Sequence, residues 1–136
     1  MSHIEYIVWE SLKKLIQYIE IEEFKGYDPY DAMNSKFFNC ISFKNKLIRI
    51  GLTQTLKRSP INLRPLFGIK KDINPKGMGL LMAGYVKLIN MTQKKEYTEK
   101  IKTITDILEK LKSEGYSGYC WGYNFPWQNR ERFLPI

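Results

Sequence analysis

Apolar residues recur at spacings of three and four along the first stretch of the chain: Ile4, Ile7, Val8, Leu12, Leu15, Ile16 and Ile19, with Glu and Lys between them. This spacing predicts an amphipathic helix from about His3 to Glu22. Gly26 and the segment Tyr27-Asp28-Pro29-Tyr30-Asp31 should stop it, because a residue before proline is pushed out of the α region. A second helix is predicted over Ser42 to Lys57, carrying Leu47, Ile50, Leu52 and Leu56 and ended by Ser59-Pro60. Pro60 to Pro75 has no period and reads as a long ordered loop, a kind of segment that often carries function. Asn74-Pro75 joins a capping residue to a proline at the first helical position. The helix it opens, 77 to 90, is apolar on nearly every side and is expected to be an inner helix. Thr92 then reads as the cap of a fourth helix, whose narrow stripe of Tyr97, Ile101, Ile104, Leu108 and Leu111 marks it as an outer helix closed by Gly115. The expected architecture is therefore all-α: one domain of two consecutive helical hairpins.

The tail from Tyr116 to Arg130 breaks these periods. Tyr116, Tyr119, Trp121, Tyr123, Phe125 and Trp127 stand among Gly118, Gly122 and Pro126. Flat rings with polar tips suit a cleft that stacks sugar rings, with Asn124, Gln128, Asn129 and Arg130 supplying hydrogen bonds. A loop that covers the end of the core with its own aromatics would look the same. Asp28 and Asp31 are the one close carboxylate pair in a loop. Two carboxylates can serve as acid and base in glycoside chemistry, or each can cap a turn. Tyr27 and Tyr30 beside them add aromatic surface.

Charge is unevenly spread. The net charge is +8, and the stretch from Lys44 to Lys76 holds nine Lys and Arg opposed only by Asp72. Within it Arg58 and Arg64 flank the long loop, where guanidinium forks could dock an anionic sugar, a nucleotide-sugar pyrophosphate or a nucleic-acid backbone. Other chemistries find no residues. The chain has no glycine-rich phosphate loop, and His3 is its only histidine, so neither a metal, a cofactor nor a His-assisted nucleophile is expected. Cys40 and Cys120 read as separate thiols. The longest apolar run, Met78 to Val86, is far short of the ~20 residues of a membrane span, and a cytoplasmic location is expected.

Four strings carry a resemblance: Gly26-Tyr-Asp-Pro-Tyr-Asp31, Gln54-Thr-Leu-Lys-Arg-Ser-Pro-Ile-Asn-Leu-Arg64, Ile73-Asn-Pro-Lys-Gly77 and Gly115-Tyr-Ser-Gly-Tyr-Cys-Trp-Gly-Tyr-Asn-Phe-Pro-Trp-Gln128. The chain resembles α/α-toroid proteins, relatives of six-hairpin glycosidases and prenyltransferases that accompany prokaryotic cell-surface polysaccharide genes. The resemblance implies that the two hairpins equal the opening part of a toroid. It also implies a carbohydrate-related role, binding or processing a glycan or glycosyl intermediate. Trp121, Tyr123 and Trp127 would then form the platform, with Asp28 and Asp31 as acid-base groups and Tyr30, Arg58, Arg64, Gln128 and Arg130 as further contacts. Members of that family continue with more hairpins, which implies a fragment, a split gene or one half of a complex here. The alternative is a non-enzymatic interaction module whose exposed apolar helix faces bind a partner chain or a second copy; nucleic acid is not the expected partner. Trp121 and Trp127 are expected to line a concave surface near Tyr27 to Asp31, and Arg58 and Arg64 to be held in buried or half-buried hydrogen bonds.

Overall fold

The computed structural model describes residues 2–136. The chain is mostly helical: α1 (His3–Ile21), a 3-10 turn (Asp31–Asn34), α2 (Lys36–Ile41), α3 (Lys46–Arg58), a second 3-10 turn (Pro65–Phe67), α4 (Pro75–Thr92) and α5 (Glu96–Lys110). A two-residue antiparallel pair, β1 (Trp127–Gln128) with β2 (Phe133–Leu134), closes the tail. No helix among the described residues is long and apolar enough to cross a membrane.

α1 starts on a capping box. Ser2 Oγ accepts from Glu5 N–H and Glu5 Oε2 accepts from Ser2 N–H, satisfying two donors that a helix start leaves open. It ends where expected, at Ile21 with Glu22 as C-cap, but what stops it differs: the chain reverses at Glu23 and Phe24, both left-handed with φ of 51° and 63°, before Gly26 is reached. Gly26 instead pairs with Asp72 through two backbone hydrogen bonds of 2.9 Å, tying the loop after α1 to the loop before α4.

The predicted second helix starts later than Ser42. Phe43 and Lys44 take positive φ, so the helix begins at Lys46 with Asn45 Oδ1 accepting from the N–H groups of Leu47 and Ile48. The short α2 before it went unread; Ser35 caps it through Phe38 N–H. Thr92 is not a cap but the last residue of α4, its hydroxyl donating back to Leu88 O at 2.7 Å. Gln93, left-handed with φ 56°, makes the turn into α5. A side chain at that φ costs more than glycine would.

Two hydrophobic clusters result. In the first, Ala32, Met33, Phe38, Leu56 and Ile69 bring the 3-10 turn, α2, α3 and the long loop together. Phe38 lies 4.5 Å from Phe67, ring centre to ring centre. In the second, Met78, Tyr85, Leu88, Tyr97 and Ile104 pack the α4–α5 hairpin, with Trp9, Leu12 and Ile16 of α1 laid against it. Lys100 of α5 meets Glu20 of α1 at 2.8 Å. The helices of the expected first hairpin, α1 and α3, thus belong to different clusters. α4 is not an inner helix either: Leu80, Val86 and Met91 are exposed, because only α1 and α5 cover it. The β1–β2 pair lids α3, where the buried Arg49 lies under the Phe133 ring at 4.0 Å with its Nε unpartnered.

Candidate functional site

The loop after α1, the start of α4 and the aromatic tail meet at one end of the molecule. The hub is Asp31, whose side chain is 4% exposed. Arg64 Nε donates to both of its carboxylate oxygens, at 2.8 and 3.1 Å, and Arg64 Nη2 donates to Asp28 O at 3.0 Å. Asp28 N–H adds a third bond to Asp31. Burial pushes the Asp31 carboxyl up from its ordinary range, and the Arg64 guanidinium pulls it back without cancelling that effect. Arg64 is therefore a half-buried strut that sets the loop. Charge-assisted bonds of this kind, made where water is excluded, fix geometry more firmly than surface pairs do.

Asp28 faces the other way. Its Oδ1 accepts from Tyr30 N–H at 2.9 Å and its Oδ2 from Asn74 Nδ2 at 2.8 Å, so the N-cap of α4 also aims the carboxylate. Both aspartates line a cavity of about 350 Å³ together with Asn34, Asn74, Lys76 and Asn124. Asn124 Oδ1 itself is buried behind the cavity wall without a partner. Beside this cavity lies a second of about 400 Å³, where Trp121 and Tyr123 face Asn74, Pro75 and Lys76. The Trp121 indole N–H donates to Leu108 O at 2.7 Å, which anchors the tail on the end of α5.

Trp127 stands on the far side of the loop. Its ring meets Tyr30 edge-on at 6.3 Å and Tyr123 at 6.0 Å. With Tyr30, Arg58, Gln128 and Arg130 it lines a third cavity of about 430 Å³. Tyr30 Oη accepts from Lys57 Nζ at 2.6 Å. Gln128 is buried, with Nε2 donating to Asn129 O. Arg130 is exposed, and its carbonyl accepts from Lys46 Nζ at 2.9 Å. Arg58 is exposed as well, in contrast to the expectation of a buried or half-buried hydrogen bond; it is the last residue of α3.

The expected residues therefore divide. Asp28 and Asp31 share the central cavity, Trp121 and Tyr123 the second, and Tyr30, Arg58, Trp127, Gln128 and Arg130 the third, while Arg64 supports the loop between them. Asn34 and Asn74 were not anticipated as site residues. The Asn-Pro signature did place Asn74 at a helix start, where its amide reaches out of the helix. Among the described residues no group of three His, Cys, Asp or Glu side chains stands close enough to hold a metal ion. No family model, no curated protein and no solved structure matches this chain.

Proposed function

We propose that the chain binds a glycan or glycosyl intermediate of surface-polysaccharide metabolism in the cytoplasm, along the row of cavities between the Tyr27–Asp31 loop, the start of α4 and the tail, and that its helices correspond to the opening part of an α/α toroid. The observation that carries this reading is the cavity of about 350 Å³ lined by the polar side chains of Asp28, Asn34, Asn74 and Asn124, with indole and phenol rings in the cavities on either side. Acceptors for hydroxyl protons beside flat apolar faces match the two kinds of surface a sugar ring presents. Binding is favoured over turnover because both carboxylates are already engaged, Asp31 by Arg64 and Asp28 N–H, and Asp28 by Tyr30 N–H and Asn74 Nδ2.

Calorimetric titration with a panel of neutral and acidic oligosaccharides tests it. At least one should bind saturably, and Trp127→Ala should weaken that sugar about tenfold, the equivalent of roughly 1.4 kcal/mol. Asp28→Asn should weaken it as well. A panel with no saturable binder, or a binder indifferent to both substitutions, would overturn the reading.

A further inference from the structure

Six positions of α1 face outward along its length: Ile4, Ile7, Val8, Ser11, Leu15 and Tyr18. All are exposed, Ile4 by 73% and Val8 by 60%. Ser11 is the one polar member, and its hydroxyl donates to Ile7 O at 2.8 Å, so it presents a small side chain whose donor is already satisfied. Next to the row runs an apolar groove of about 310 Å³ between α1 and α4, edged by Leu15, Ile19, Leu80 and Met91. A continuous apolar strip of this length is unusual on a monomer.

The strip has an internal symmetry. Its apolar members lie seven, four and three residues before Ser11 and four and seven residues after it. Read backwards, the row is nearly the same row. A helix patterned in this way complements a copy of itself laid antiparallel about a two-fold axis at Ser11, with Ile4 opposite the second copy's Tyr18, Ile7 opposite its Leu15 and Ser11 against its own mate. The flanking charges agree. Glu10, whose Oε1 accepts from Lys13, and Lys14 border the row on the same side at helical spacing. In the antiparallel arrangement the two copies' charges share one edge of the seam, each Lys14 lying across from the other copy's Val8 and within a turn of its Glu10, whereas a parallel arrangement puts the two Glu10–Lys14 edges on opposite sides of the seam, where they cannot pair.

From this we infer that a second copy of the chain covers the outer face of α1, forming an antiparallel two-fold dimer centred on Ser11. The inference is independent of the glycan reading, since no residue of the row lines those cavities.

Sedimentation of the full chain over a range of concentrations reads the assembly directly. The mass should rise from 16.1 kDa toward twice that value. Leu15→Glu should return it to the monomer with circular dichroism unchanged, because Leu15 is exposed on the monomer. Register is read by cross-linking in a background where Cys40 and Cys120 are replaced by serine. With copper-phenanthroline in air as oxidant, Ser11→Cys should give a disulfide-linked dimer, and Ile4→Cys should cross-link to Tyr18→Cys when the two proteins are mixed. A chain that stays at 16.1 kDa at every concentration, a Leu15→Glu variant that still doubles, or Ile4→Cys cross-linking to itself would each overturn the proposal.

Discussion

Asp31, Ser35 and Ser42 are buried polar side chains that find partners inside the chain, whereas along α1 a row of apolar side chains stands in water. In the first region Asp31 is bound by Arg64, Ser35 Oγ donates to Phe67 O, and Ser42 Oγ donates to Asn39 O, all packed over Met33 and Phe38. In the second, α1 has no fully buried residue; Trp9, Leu12 and Ile16 only lean on the α4–α5 hairpin. The contrast teaches that helix length is a poor guide to where stability resides here. The shortest helices sit beside the buried Asp31–Arg64 pair, and one of the longest contributes a surface.

The sharpest way to break this contrast is to truncate one side chain from each region. Phe38→Ala should cost about 3–5 kcal/mol, read from the denaturant midpoint, since Phe38 is buried against Phe67. Leu15→Ala, measured at a concentration where the chain is monomeric, should cost under ~0.5 kcal/mol. Equal losses would mean that α1 is as integral as the first cluster.

Next in size is Arg64→Gln, expected to cost about 3 kcal/mol at neutral pH because it strands a buried carboxylate. Its pH dependence has a definite sign. With its carboxyl raised by burial, the folded chain holds the Asp31 proton more tightly than the unfolded chain does. Asp31 therefore contributes stability below its ordinary value of 3.8, and that contribution is lost as pH rises through the raised folded value. Removing Arg64 raises the folded value further, so the deficit of the variant should shrink as pH falls through the Asp31 titration. A deficit that stays constant with pH in unfolding curves would show that Arg64 acts by packing and not by charge.

The smallest effect expected is a gain. Gln93→Gly removes a side chain from a left-handed position, and thermal melting should show a stabilisation of about 0.5–1 kcal/mol. No change would mean that the Gln93 Nε2 bond to Asn90 O offsets the backbone cost.

The long helices were legible because α1, α3 and α5 carry apolar stripes at helical spacing, while α4 is apolar nearly all round and Asn74-Pro75 marks its start. The turns were not. Glu23, Phe24, Phe43, Lys44 and Gln93 adopt left-handed backbone without being glycine, so sequence held no marker for them and the predicted ends of three helices shifted. α2 is too short for a period, although Ser35 three residues before Phe38 was a readable cap. Of the candidate site, the pairing of Asp28 with the α4 start depends on Asn74, and that of Asp31 on Arg64. Both partners lie far along the chain, and neither local pattern nor charge balance joins them.

Those distances have a kinetic consequence. The bonds that shape the cleft, Ser35 to Phe67, Arg64 to Asp31 and to Asp28, and Asn74 to Asp28, span 32, 33, 36 and 46 residues, whereas α4 and α5 are joined by the short Gln93–Lys95 turn. Chain closure must be completed before such distant contacts return any free energy, and local contacts form first. The α4–α5 hairpin is thus expected to order before the cleft, whose loops are tied by the distant Gly26–Asp72 bridge.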